Sequence, residues 1–375
     1  NGEIYNYRDL RAELESSGAA PHWRGHSDTE VVLAAFSAWG VADSLKLFNG
    51  MFALAVWDRH EQILTLARDR AGEKPLYYGW QGRTFLFGSE LKAFAAHPAW
   101  RPEIDRNALA AFVRYSYVPT PWSSCRGIFK LEPAALLRIP LNQQPGTLPK
   151  AESYWSFADV VEAGLSSPLV LDDREATDEL ERLLRRAVLL RMDADVPLGA
   201  FLSGGVDSST IVALMQAQSS RPVRTFSIGF KRDDYDEAPY AKAVAKHLGT
   251  DHSELYVDAK QTIDVIPRLP RLYDEPFADS SQIPTFLVSQ LARQHVTVSL
   301  SGDAGDELFG GYNRYFFLQQ LWSRTHAFPP PVRELAAAAI QGVPPSGWHL
   351  GRRLVARPVR LASVGGKLHK LAGGL

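Results

Sequence analysis

Between one apolar run and another lies Leu202-Ser203-Gly204-Gly205-Val206-Asp207-Ser208-Ser209. Paired glycines let backbone approach a ligand closely and turn N–H groups toward an anion. A helix starting behind them adds the positive end of its dipole. The hydroxyls of Ser203, Ser208 and Ser209 supply further donors. Asp207 does not suit a bare phosphate, and its carboxylate makes chemical sense if it holds Mg²⁺, which neutralises phosphate charge. The loop lacks the Gly-Lys-Ser/Thr of a Walker A motif, so simple γ-phosphate hydrolysis is not its natural chemistry. The bland alternative is a glycine turn capped by serines, with Asp207 at the surface. The strand-to-helix setting favours the nucleotide site.

A second cluster runs from Leu300-Ser301-Gly302-Asp303-Ala304-Gly305-Asp306-Glu307 to Leu308-Phe309-Gly310-Gly311-Tyr312. It follows an apolar run, Val296–Leu300. Three acidic residues among glycines at a strand end read as a cation and nucleotide site rather than a solvated turn.

The SGGVDSS run resembles the pyrophosphate loop of the ATP-pyrophosphatase superfamily, whose members adenylate a substrate and release pyrophosphate. Together with Ser227-Ile228-Gly229-Phe230, the acidic-glycine cluster and Asp274-Glu275-Pro276-Phe277-Ala278-Asp279-Ser280-Ser281, it is similar to the glutamine-using asparagine synthetases. The resemblance implies that Leu202, Ile228, Ser301 and Gly302 contact the adenosine part of ATP. Ser203, Gly204, Gly205, Ser208 and Ser209 would line its phosphates, and Asp207 and Asp306 would hold Mg²⁺. Asp303 stands where the family has an acidic residue, often glutamate, needed to form β-aspartyl-AMP.

Four earlier segments resemble the class II glutamine amidotransferase domain. They are Asn1-Gly2-Glu3-Ile4-Tyr5-Asn6-Tyr7, Gly25-His26-Ser27-Asp28-Thr29-Glu30, Phe48-Asn49-Gly50-Met51-Phe52-Ala53 and Ala67–Tyr78. Hydrolysing a side-chain amide needs an oxyanion hole, which the Asn1 side chain and the Gly2 N–H suit. Glu3 and Asp28 suit the α-ammonium of glutamine. In that family the nucleophile is an N-terminal cysteine whose own amine acts as base. This chain begins at Asn1, a point the family reaches after several dozen residues, and the family's later helices and an active-site lysine have no counterpart before Leu375. The expectation is a piece from the middle of the protein.

The resemblance implies a glutaminase that yields ammonia and an adenylating domain in which ammonia displaces AMP from aspartate. Its small-molecule partners would be glutamine, aspartate and ATP, and a homodimer is left open. Two alternatives keep the nucleotide loop: a β-lactam synthetase-like ring closure, and a protein that binds nucleotide without turnover. Intact Asp207, Asp303 and Asp306 weigh against the latter.

The elements that must position these residues read as two halves. From Asn1 to Trp155, Met51–Trp57, Gln62–Ala67 and Thr84–Gly88 are strand-like. Asp58–Glu61 joins the first two as a hairpin. A helix is expected over Asp28–Trp39, with a Ser27/Glu30 capping box and Gly40 at its end. Pro and Gly accumulate over Gln143–Pro168, which reads as the boundary. Beyond it, Arg174–Arg191 has helical spacing. Strands (Val196–Leu202, Arg224–Phe230, Leu255–Val257, Val296–Leu300) then alternate with helices (Ser208–Gln216, Ala238–Leu248, Gln282–Gln294). That alternation argues for a parallel sheet with helices on both faces. The expected fold class is therefore α/β and α+β: a truncated N-terminal-nucleophile αββα domain over 1–155, then a parallel α/β ATP-pyrophosphatase domain over 170–375. Ala327–Pro345 reads as loop and helix.

Composition restricts the function classes. Lys+Arg 41 against Asp+Glu 42 gives a formal charge of −1, which provides no long-range pull toward nucleic acid or acidic membrane. A local basic patch is conceivable around Arg352, Arg353, Arg357 and Arg360. The single cysteine, Cys125, rules out an intramolecular disulfide and four-Cys zinc sites, and fits a reducing, cytoplasmic compartment. His22 and His26 stand four apart, but Pro21 and Gly25 make their segment a loop, and His247 and His252 only flank a helix end. Neither pair reads as a metal site.

Overall fold

The computed structural model describes residues 1–230 and 236–344. The chain divides into two compact units, Asn1–Ser301 and Gly302–Leu375. The basic cluster at Arg352, Arg353, Arg357 and Arg360 lies outside the described residues.

The first unit opens with β1 (Gly2–Ile4), α1 (Tyr7–Ser16), α2 (Asp28–Trp39), α3 (Val41–Leu47), β2 (Gly50–Asp58), β3 (Ile63–Arg68), β4 (Tyr77–Gln81) and β5 (Thr84–Gly88). It continues through α4 (Leu91–Phe94), α5 (Arg106–Tyr115), β6 (Ile128–Lys130), β7 (Ala135–Pro140), β8 (Glu152–Ser153) and α6 (Phe157–Ser166). One antiparallel sheet has the order β1-β2-β3-β7-β8 and a second the order β5-β4-β6.

Neighbouring residues on each strand point to opposite faces, and here they enter different cores. Phe52, Ala67 and Leu136 pack with Leu10 and Leu14 of α1 and Val31, Val32 and Ala35 of α2. Their neighbours Ala53, Leu66 and Leu137 pack instead with Tyr78 and Leu131 and with Phe85 and Phe129 of the second sheet. On the far side of that sheet, Tyr77, Leu86 and Ile128 meet Leu91 and Phe94 of α4. The layers are therefore helix, sheet, sheet, helix. The β2–β3 hairpin forms as its sequence predicts, Asp58 accepting the N–H groups of His60 and Glu61 in the turn.

Two local expectations are corrected. Ser27 does cap α2, accepting the Thr29 N–H, but Glu30 does not return to the Ser27 N–H. Its carboxylate takes the N–H groups of Arg24 and Gly25 at 2.8 and 3.0 Å, holding the preceding loop rather than closing a box. The Pro- and Gly-rich stretch over Gln143–Pro168 also contains α6. Ser156 caps this helix by accepting the Asp159 N–H, and one helical glycine costs only about 1 kcal/mol.

Next come α7 (Asp173–Met192), β9 (Leu198–Phe201), α8 (Val206–Gln218), β10 (Arg224–Phe230), α9 (Ala238–Leu248) and β11 (Asp251–Val257). They are followed by α10 (Ala259–Val265), α11 (Leu269–Leu272), α12 (Gln282–Ala292) and β12 (Val298–Leu300). The four strands form a parallel sheet in the order β11-β10-β9-β12. Ala200 and Leu202 pack against Val188 of α7, Val212 and Met215 of α8 and Ala241 of α9. On the other face, Phe226, Ile228 and Phe230 meet residues of α12, including Leu287 and Ala292. The fold is thus mixed: two antiparallel sheets layered with helices, and one parallel sheet covered on both faces.

The second unit contains α13 (Gly305–Phe309), α14 (Asn313–Thr325) and α15 (Pro330–Gly342). No described helix is long and apolar enough to cross a membrane.

Candidate functional site

The chain leaves β9 toward β10 and β11 on one side and returns to add β12 on the other. Strand order therefore reverses between β9 and β12. In open parallel sheets that switch, at the carboxyl ends of the strands, opens a crevice where ligands bind. Leu202–Ser209 leaves the carboxyl end of β9, and Ser301 that of β12, whose Leu300 pairs with Ala200. The Leu202–Ser209 loop and Ser301, about a hundred residues apart in sequence, are thus brought to one sheet edge by strand pairing.

Within the loop, Gly204 adopts φ +81°, and a Cβ there would come within 2.7 Å of the Ala241 N and the Tyr240 Cβ. Only glycine fits between the loop and α9 in that conformation. Gly205 stands at the start of α8 with no side chain capping the helix. The Ser203 and Ser208 hydroxyls lie 2.9 Å apart, and Ser208 Oγ also accepts the Ser203 N–H. The Ser209 hydroxyl is buried with no hydrogen-bond partner. A buried orphan hydroxyl costs about 1–3 kcal/mol. Asp207 sits in the first turn of α8.

Leu202 is fully buried with its side chain in the core beneath α8, so only its backbone faces the loop. Ile228 is partly buried and packs toward Val257, Val265 and Leu287 on the opposite face. The neighbouring side of β10 is polar. There His252 lies 2.8 Å from Thr225 Oγ1 and 3.2 Å from Ser227 Oγ, and burial holds its imidazole below the ordinary range.

The other candidate residues meet at the edge of the first sheet. Gly2 has φ +133°, and a Cβ would fall 2.0 Å from the Met51 carbonyl oxygen, so β1 can lie against β2 only with glycine there. The Asn1 amide nitrogen donates to Ser89 Oγ at 3.0 Å. Asp28 accepts the Ile4 N–H at 2.9 Å, tying the start of α2 to β1. That bond brings Asp28 beside Glu3. Burial and then the Asp28 charge push the Glu3 carboxyl above its usual value. Two carboxylates that repel each other are a ready site for one ammonium.

Sequence reasoning missed two supports of this edge. Ser89 is the partner of Asn1. Asp69, fully buried, accepts the N–H groups of Phe52, Glu73 and Lys74 and so pins the turn after β3 to β2. An aspartate before a glycine turn was the available signal.

In the second unit, Asp303 precedes Ala304, which adopts φ +71° and begins the short α13. Asp306 lies in its first turn. The Asp306 carboxylate rests against the backbone of Gly311, where a Cβ would be 2.0 Å from Oδ1. Among the described residues no group of three or more His, Cys, Asp and Glu side chains is arranged to hold a metal ion.

The family model for asparagine synthase matches residues 179–374. This chain belongs to that family. A glutamine amidotransferase domain model matches residues 1–155. Among curated relatives, the chain is 39% identical over 315 residues to a putative asparagine synthetase (glutamine-hydrolyzing) 2 of Methanocaldococcus jannaschii, covering 83% of this chain and 58% of the relative. It is 35% identical over 316 residues to asparagine synthetase (glutamine-hydrolyzing) 1 of Bacillus subtilis, covering 84% and 47%. The chain spans about half the length of the curated relatives it matches. For an asparagine synthase family member, the sheet of β9–β12 carries the family's half, and the layered antiparallel sheets carry the amidotransferase half.

Proposed function

We propose that the protein is a glutamine-hydrolysing asparagine synthetase, built from an amidotransferase domain over 1–155 and an ATP-pyrophosphatase domain over 170–375. The observation that carries this is the pairing of β9 with β12, which sets the SGGVDSS loop and Ser301 at one strand-order switch. Family membership and the names of the relatives support the same reading.

In the first domain, Asn1 and Gly2 stabilise the oxyanion formed as the glutamine amide is attacked, and Glu3 and Asp28 pair with the substrate's α-ammonium. In the second, backbone around Leu202, Ile228, Ser301 and Gly302 holds adenosine, while Ser203–Gly205, Ser208 and Ser209 hold the phosphates. Aspartate attacks the α-phosphorus of ATP, pyrophosphate leaves, and Asp303 serves formation of β-aspartyl-AMP. Ammonia then displaces AMP to give asparagine. Asp207 and Asp306 are the carboxylates assigned to Mg²⁺, and hard oxygen donors completed by phosphate oxygens suit that ion. A cation held by those carboxylates would supply charge neutralisation for the departing pyrophosphate. The compartment proposed is the cytoplasm.

The test is a product inventory from full-length protein given ATP, Mg²⁺, glutamine and aspartate. Asparagine, glutamate, AMP and pyrophosphate in equal amounts are expected. ADP as the nucleotide product would overturn the proposal.

A further inference from the structure

The segment joining α11 to α12 carries adjacent carboxylates, Asp274 and Glu275, that have no part in the chemistry above. Both reach out of the parallel-sheet half and end on residues of the layered half. Glu275 is nearly buried, with 11% of its side chain exposed. Its Oε1 accepts the Ser124 N–H at 2.6 Å, and its Oε2 accepts from Lys130 Nζ at 2.7 Å and from the Tyr77 hydroxyl at 3.3 Å. Asp274 accepts the Leu91 N–H at 2.7 Å and the Lys92 N–H at 3.3 Å, at the start of α4.

Three more bonds join the two halves along this segment. Lys92 Nζ donates to the carbonyls of Arg271 and Leu272, and the Ala278 N–H donates to the Ser116 carbonyl at 2.8 Å. Beyond the segment, α12 packs Leu287 into the apolar cluster that includes Ile228. One end of this short stretch is thus fastened to β4, β6 and α4, and the other to the sheet that bears the nucleotide loop.

A buried carboxylate costs several kcal/mol unless paired and hydrogen-bonded. Glu275 meets that cost only in one arrangement, where an ammonium, a phenol and a backbone N–H converge on it. An apolar contact could slide by an ångström at little cost, but this one cannot. The junction is built for fixed position.

We propose that Asp274 and Glu275 form a clamp that fixes the two halves in register, and that this register sets how much of the ammonia released from glutamine is used to form amide. The proposal rests on the functional reading above. The competing fate of ammonia is escape to bulk water, where at neutral pH it takes up a proton and ceases to be a nucleophile. The clamp residues touch no substrate, so they act as positioning residues.

The test uses full-length protein as wild type, Glu275→Gln and Asp274→Asn, each with glutamine and separately with ammonium chloride. Glutamate, AMP and asparagine are counted. Wild type is expected to release about one glutamate per AMP. The variants are expected to keep glutaminase and ammonium-driven synthesis within about twofold while glutamate per AMP rises at least about threefold. An unchanged ratio in folded variants would overturn the clamp, as would parallel loss of both separate activities. Where Glu275→Gln fails to fold, Tyr77→Phe deletes one hydroxyl of the same junction and is expected to raise the ratio by a smaller factor. Wild type that makes no asparagine from either nitrogen source would overturn the functional reading itself, an outcome distinct from an unaltered ratio.

Discussion

Lys130 and Glu275 stand 145 residues apart in sequence and meet at 2.7 Å, with 14% and 11% of their side chains exposed. The ammonium also donates to the Val118 carbonyl, so both partners have other bonds inside the junction. Such a pair is a weak source of net stability and a strong source of position.

Removing one member should therefore cost more than removing both. Lys130→Met strands a buried carboxylate and is expected to lower unfolding free energy by about 3 kcal/mol. Lys130→Met combined with Glu275→Leu should recover a large part of that loss. Urea unfolding of the three proteins measures it, and equal losses in single and double variants would contradict the assignment.

Asp207 separates metal chemistry from helix capping. Asp207→Asn in full-length protein is expected to reduce Mg²⁺-dependent AMP formation by about a hundredfold or more, while glutamine hydrolysis and fold are kept. Pyrophosphate release alongside glutamate release provides the two readouts. Near-normal AMP production would reduce Asp207 to a first-turn acid on α8.

Glu3 should show opposite effects on stability and binding. Its folded-state carboxyl lies above the ordinary 4.5, because of burial first and Asp28 second. Above that raised value, ionised Glu3 burdens the folded state, and the burden is absent below the ordinary value, where folded and unfolded chains are both protonated. Glu3→Gln is thus expected to be more stable than wild type near pH 7 and indistinguishable from it near pH 4. On the proposed pairing of Glu3 with the substrate's α-ammonium, KM for glutamine at pH 7 should rise about tenfold or more. Thermal melts at the two pH values and glutaminase kinetics test the pair of signs.

His252 gives the reverse slope. Burial lowers its folded-state value below 6.5, with Glu254 opposing and Lys242 assisting. As pH falls through 6.5 the unfolded chain binds the proton first, so stability declines from there until the folded-state value is passed. His252→Gln, which keeps hydrogen-bonding groups toward Thr225 and Ser227 and does not titrate, should lose less stability between pH 7.5 and pH 5.5. Urea unfolding at both pH values checks it, and identical losses would remove His252 from the acid response.

The parallel sheet was legible because its strands are short apolar runs punctuated by glycine and separated by helical spacing. The sheet edge bearing Leu202–Ser209 and Ser301 followed, since pairing of β9 with β12 brings the two strand ends together. Strand β4 was less legible. No strand is read over Tyr77–Gln81 from sequence alone, and its strand character comes from pairing with both β5 and β6. α6 was hidden by Pro and Gly around it. The Glu275 junction had no local signature at all: a carboxylate in a polar motif looks solvent-facing until residues 77, 124 and 130 are brought to it by tertiary packing. The Glu30 carboxylate is the converse case, where a short-range pattern was present and a nearer pair of N–H groups won it.

The order β11-β10-β9-β12 also bears on how the chain is made. β9 is complete about a hundred residues before its second neighbour, β12, leaves the ribosome. During that interval one side of β9 is an unpaired edge, its N–H and C=O groups open to any passing strand. The Leu202–Ser209 loop exists from the start, yet the strand on the other side of the switch does not. A ligand held at that strand-order switch can therefore reward folding only after residue 300 has emerged.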